Sequence, residues 1–231
     1  MKTAILLLVL LVAFIIPFRS NAAWEKVRNL PPQVQGTYLL DVFFLKSNTQ
    51  YGWASGYNGH VLRTTDGGST WLFVQAPVSL QAECIFFLDE KNGYLSGDDM
   101  VFKSTDGGVT WKKLNLGSQP RVWGCSFYDV QNGVAVGGGC SGTLHFFRTT
   151  NGGANWSLTT HSMAYSGLSD AVVYPDGMGY AVSSGMVWRT EDFGAHWDKY
   201  SDMNHRNWQE DIAHLNLSFL IPASNGCEGT D

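Results

Sequence analysis

The chain has 231 residues, 44% hydrophobic and 15% charged, enough to bury a sizeable core without help from disulfides or metal. Its formal charge of −5, which becomes −7 when Lys2 and Arg19 are removed with the leader, excludes nonspecific nucleic-acid binding as its main role. Aromatics at 13%, including nine Trp, beside 26 Gly suit short twisted strands and tight turns better than helices. Residues 1–22 read as a signal peptide: Lys2 opens it, an apolar run covers 4–16, and Ser20, Asn21 and Ala22 mark a cleavage site. That run is shorter than the roughly 20 residues a membrane span requires. An exported protein with no stable membrane span after cleavage is expected, its single domain covering residues 23–231.

From there the chain repeats one body four times. First strands are expected at 39–45, 84–88, 125–128 and 170–174. Turns rich in Asn and Gly follow, such as Asn92-Gly93 and Asn132-Gly133, then second strands at 52–56, 93–97, 133–137 and 179–183. Third strands at 61–63, 101–103, 146–148 and 187–189 each end in a cation. Every body closes on a related octapeptide. Thr64-Thr65-Asp66-Gly67-Gly68-Ser69-Thr70-Trp71 and Ser104-Thr105-Asp106-Gly107-Gly108-Val109-Thr110-Trp111 are nearly identical. Thr149-Thr150-Asn151-Gly152-Gly153-Ala154-Asn155-Trp156 and Thr190-Glu191-Asp192-Phe193-Gly194-Ala195-His196-Trp197 depart further, with Asn151 in place of Asp and Phe193 in place of Gly. The closing tryptophans stand 40, 45 and 41 residues apart, a period that signals a propeller or solenoid. A fourth strand after each Trp makes four antiparallel strands in about 40 residues, one propeller blade. The fold class is therefore all-β, a β-propeller with about four to five blades present. Residues 24–27 look like the start of a fourth strand and are expected to complete the last blade, whereas residues 214–226 begin a fifth body that is left unfinished.

The octapeptide S/T-x-D-x-G-x-T-W resembles the Asp-box, or bacterial neuraminidase repeat, and the unit from Gly52 to Trp71 is similar to the photosystem II stability/assembly factor family of propellers. The resemblance implies a seven-bladed ring, which would need some 300 residues at this period. The chain thus reads as a fragment of such a ring in preference to an open arc, whose strand edges would be exposed. It also implies a protein partner, a photosystem II subunit if the host is photosynthetic, and adds the thylakoid lumen to the periplasm and the extracellular space as expected locations.

Several residue sets invite a chemical reading. The Asp-box residues Asp66, Gly68, Trp71, Asp106, Gly108, Trp111, Asn151, Gly153, Trp156, Asp192, Gly194 and Trp197 are expected to be structural, because each acid sits in its own blade and no two can flank one bond. The cations Arg63, Lys103, Arg148 and Arg189 offer a partner-binding arc or, alternatively, local packing over aromatics. Asp41, Cys84, Cys125 and Asp170 align in the first strands and are expected to ring the central channel. Cys125 and Cys140 are a candidate disulfide in an exported chain. No metal-ligand spacing occurs, and neither a metal nor another cofactor is expected.

Three functions compete. A non-catalytic scaffold for a protein partner is the leading one. A glycoside hydrolase, sialidase-like or xyloglucanase-like, is the alternative: the sialidase form lacks its arginine cluster, and the xyloglucanase form would use Asp41 and Asp170 as paired acids. A carbohydrate-binding or adhesion module would stack a glycan on exposed rings such as Tyr57, Trp123, Tyr165 or Trp208.

Overall fold

Four sheets of four antiparallel strands follow one another along the chain, each ordered by sequence from its first strand to its fourth. Blade 1 comprises β1 (Leu39–Phe44), β2 (Gly52–Gly56), β3 (His60–Thr64) and β4 (Leu72–Gln75). Blade 2 is β5 (Cys84–Phe87), β6 (Gly93–Gly97), β7 (Met100–Ser104) and β8 (Lys112–Lys113). Blade 3 is β9 (Val122–Phe127), β10 (Gly133–Gly139), β11 (Thr143–Thr149) and β12 (Ser157–Ser162). Blade 4 is β13 (Leu168–Val173), β14 (Gly179–Ser183), β15 (Met186–Thr190) and β16 (Asp198–Asp202). This computed structural model describes residues 26–77, 79, 81–117, 122–139, 142–162, 167–183 and 185–202, with short pieces at 208–209, 212–215, 218–220 and 223–224. The expected signal peptide, Cys140, Cys227 and Tyr165 lie outside the described residues.

The blades form a propeller ring in which β1, β5, β9 and β13 adjoin one another in turn. A blade is covered on both faces, so its second strand cannot alternate between core and solvent; β2 and β6 are buried at every residue. Three seams hold the apolar core. Between blades 1 and 2 lie Trp53, Val61, Ile85, Phe87, Leu95, Phe102 and Trp111. Tyr94, Val101, Phe127, Ala135 and Phe147 join Cys84 and Cys125 in the next. Val134, Phe146, Ala171, Ala181, Trp188 and Trp197 fill the seam between blades 3 and 4. Stacked rings register the first two seams: Trp53 on Phe87 at 3.6 Å between centroids and Tyr94 on Phe127 at 3.5 Å. Each phenyl ring lies over the glycine that opens its second strand. A Cβ on Gly93 would stand 2.3 Å from Phe87, so only glycine fits there.

Of the outer strand expected at residues 24–27, residues 24 and 25 lie outside the described residues; residues 26–38 hold only a 3-10 turn at Pro32–Val34, and Val34 packs with Ala54 and Leu62 against the face of blade 1. Blade 1 has no neighbouring blade on that face among the described residues, which leaves Val42 61% exposed where Ile85, its counterpart in blade 2, is 2% exposed. One expectation is corrected, the register of the first strands. Asp41, Cys84 and Asp170 pair with Ser55, Ser96 and Val182, each the third residue after the glycine opening its second strand. In blade 3 that place, opposite Val136, belongs to Gly124, while Cys125 pairs with Ala135 as Ile85 does with Leu95. A register shift precedes Asp41, Gly124 and Asp170 alike, so the extra residue sits at the same point in three blades.

Candidate functional site

At the four corners, a hydroxyl and a carboxylate or amide organise the turn from within. Thr64 Oγ1 donates to Asp66 Oδ1 at 2.8 Å and accepts the Gly68 N–H at 2.9 Å. Asp66 in turn accepts from the Thr70 N–H at 2.8 Å and from its hydroxyl at 2.6 Å. Ser104, Asp106 and Thr110 repeat the arrangement. Asn151 keeps the shared part, accepting from Thr149 at 3.1 Å and from the Asn155 N–H at 2.8 Å. In the fourth corner His196 replaces Thr and sets Nδ1 2.5 Å from Asp192 Oδ2. Phe193 takes a φ of 59°, the left-handed conformation that Gly107 adopts at 76° in blade 2. The divergent corners thus keep the geometry of the close copies.

The carboxylates bear the mark of these bonds. Hydrogen bonds from the Thr70 side chain and backbone lower the Asp66 pKa below the usual carboxylate value. For Asp106 and Asp192, burial pushes the pKa up, but the hydrogen bonds outweigh it and leave both lowered, Asp192 to about 2. Such groups stay ionised and bound within their own turn, a structural arrangement.

Three of the four cations reach from one blade to the corner of the next. Lys103 Nζ donates to the Gly152 carbonyl at 3.3 Å and Arg148 Nε to the Phe193 carbonyl at 3.1 Å. A Cβ placed on Gly107 would lie 3.2 Å from an Arg63 guanidinium nitrogen, so Arg63 covers the corner of blade 2 in the same way. Burial lowers the Lys103 pKa, and its ammonium sits 5.4 Å from the centre of the Tyr94 ring. Arg189 pairs within its own blade with Glu191 and lies 5.5 Å from the Tyr200 ring centre. The seam position missed in the sequence is Trp53, whose indole donates to the Gly107 carbonyl at 2.9 Å.

Asp41, Cys84, Cys125 and Asp170 all line one axial cavity of about 590 Å³, together with Lys46 and Tyr174. They join blades. Asp41 Oδ2 accepts the Ile85 N–H at 2.7 Å, and Asp170 Oδ2 accepts that of Ile212 at 3.2 Å. Cys84 Sγ stands 3.1 Å from Cys125 Sγ across the seam between blades 2 and 3. At the seam between blades 3 and 4 the position is Gly124, where a Cβ would come within 2.5 Å of the Asp170 Cα. The signal for this register is visible in the sequence: Phe87 precedes Gly93 by the same interval as Phe127 precedes Gly133, which aligns Cys84 with Gly124. Ser126 was likewise missed; its hydroxyl accepts the Val173 N–H at 3.1 Å. Among the described residues, no three His, Cys, Asp or Glu side chains are grouped to hold a metal ion. Of the rings considered for glycan stacking, Trp123 is buried and its indole fills the space beside Gly167, so it presents no stacking face.

The family model for photosynthesis system II assembly factor YCF48 matches residues 16–119. The photosystem II assembly lipoprotein Ycf48 of Prochlorococcus marinus is 30% identical over 173 residues, 73% of this chain and 48% of its own length. The chloroplastic photosystem II stability/assembly factor HCF136 of Oryza sativa subsp. japonica is 25% identical over 189 residues, 71% of this chain and 44% of its own. The chain spans about half the length of these curated relatives. Among solved structures, an ancestral GH74 enzyme superposes with a TM-score of 0.66 at 14% identity, over 82% of this chain and 27% of that one, a likeness of fold alone.

Proposed function

We propose that this chain, a β-propeller that fits the photosystem II assembly-factor-like family, is an exported, non-catalytic scaffold that holds a photosystem II subunit during assembly. One observation carries the non-catalytic reading: the axial acids are used to join blades. Asp41 and Asp170 each accept a backbone N–H from the adjoining inner segment. A glycosidase instead needs two carboxyl groups flanking one bond, one protonated to release the leaving group and the other acting as nucleophile or base. The corner acids are bound within their own turns, one per blade. What remains is a rigid arc of sheets presenting loops, a form suited to binding. The names of the curated relatives supply the assembly context, and the periplasm or the thylakoid lumen is the matching location.

The test is co-purification. Tagged full-length chain from a photosynthetic host should bring down photosystem II subunits, and charge reversal at Arg63 and Arg189 shows whether the cation arc contributes to that contact. Hydrolysis of β-glucans that disappears in Asp41→Asn or Asp170→Asn would replace the scaffold reading with a glycoside hydrolase.

A further inference from the structure

The seam between blades 2 and 3 differs from its neighbours at the axial position. At the seam before it, Asp41 ties blade 1 to the backbone of Ile85, and beyond blade 4 Asp170 does the same with Ile212. Cys84 occupies the same place in blade 2, and a thiol cannot match a carboxylate as a hydrogen-bond acceptor. Its Sγ instead donates to the Cys125 carbonyl at 3.4 Å. It also meets a second thiol. Cys125 holds the position of Ile85, the residue that Asp41 binds in the seam before, so the fold aims one cysteine directly at the other. Both are buried, at 7% and 3% exposure, and their sulfurs are 3.1 Å apart although the residues are 41 positions apart in sequence.

We propose that Cys84 and Cys125 are an oxidation site and form a disulfide joining blades 2 and 3. It would be the covalent counterpart of the carboxylate-to-amide ties made by Asp41 and Asp170. Closing it shortens the sulfur separation by about 1 Å, a small movement for two side chains already in contact. The co-reactant is a disulfide-bearing dithiol carrier, or oxidised glutathione, of an oxidising compartment. Two S–H bonds break and one S–S bond forms; two electrons and two protons pass to the co-reactant's disulfide, which leaves as a dithiol in the carrier or as two molecules of glutathione. In the folded protein, the Cys125 thiol beside it and burial push the Cys84 pKa well above its ordinary value. Attack by thiolate is then slow. Because both sulfurs are buried, the carrier reaches them when the seam between blades 2 and 3 opens locally, and closure then shields the bond from reductants.

The compartment rests on the proposed export, so the test separates the bond from the location. Full-length protein is refolded in a glutathione redox buffer and digested without reduction, and the peptides are mapped by mass spectrometry. The expected product is a Cys84–Cys125 cross-linked pair that disappears on reduction. Stoichiometric alkylation of both thiols in the refolded chain, or Cys125 linked to Cys140 or Cys227, would overturn the proposal. A Cys140→Ser/Cys227→Ser chain leaves the pair intact and guards against a variant that fails to fold. In it, reduction should raise the unfolding equilibrium constant about tenfold or more; an unchanged constant would also overturn it.

Discussion

The corners and the axis of this propeller solve the same problem, holding one strand against the next, by opposite means. A corner is complete within eight residues: Ser104, Asp106 and Thr110 satisfy one another and the backbone between them. An axial residue reaches out of its own blade, as Asp41 does to the backbone of Ile85. The corners therefore recur in recognisable form, while the axis runs Asp41, Cys84, Gly124, Asp170 with no residue shared between consecutive blades. A local hydrogen-bond circuit accepts only residues that close it. A tie between blades accepts any pair that is complementary.

The largest effect that would sharpen this contrast belongs to Trp53, which stacks on Phe87 and also reaches the corner of blade 2 through the Gly107 carbonyl. Trp53→Ala should cost about 3–5 kcal/mol in denaturant-induced unfolding. At the axis, Gly124→Ala should cost about 1–3 kcal/mol by the same measurement, because the new methyl meets the backbone of Asp170 and a backbone cannot turn aside. A corner should be more forgiving. Asp106→Asn should cost less than about 1 kcal/mol, since Asn151 already closes the third corner with an amide oxygen. A loss as large as that at Gly124 would break the contrast between self-contained corner and dependent axis.

The smallest effect is a titration. Asp66, Asp106 and Asp192 have folded pKa values below their unfolded ones, so their stabilisation is fully present above about pH 4. It is lost as the pH falls through the folded values, toward about 2 for Asp192. These groups are largely exposed, so the energetic consequence is modest. Amide resonances of Thr70, Thr110 and His196, which donate to those carboxylates, should shift between pH 4 and 2, while that of Asn155, bound to an amide, should not. A matching shift at Asn155 would show that the corners respond as one body and are not local.

Much of the fold was legible because its signals are local. The glycine-opened second strands at Gly52, Gly93 and Gly179 fall where the spacing put them, and the cations at the ends of the third strands identify the strand that meets each corner. The axial ring was legible only as a set of residues. Its four members do line one cavity, yet the alignment of Cys125 with Cys84 was one residue out, because it matched cysteine with cysteine and not the equal intervals from Phe87 to Gly93 and from Phe127 to Gly133. The cations were legible by position but not by partner: that Lys103 and Arg148 reach the corners of the following blades depends on how the sheets are rotated about the axis.

Alone, then, the sequence determined the all-β class, the blade period and the chemistry of the two close-copy corners, since each of these is written in contacts spanning a few residues; that the Asn151 and Phe193 corners close the same way was shown by the structure. Tertiary structure alone decided which residues meet across the seams: Asp41 with the backbone of Ile85, and Cys84 with Cys125. Those contacts join residues some forty positions apart in the chain. Local pattern sets a strand's register within its blade but not which group of the next blade it meets, so only the assembled sheets could assign them.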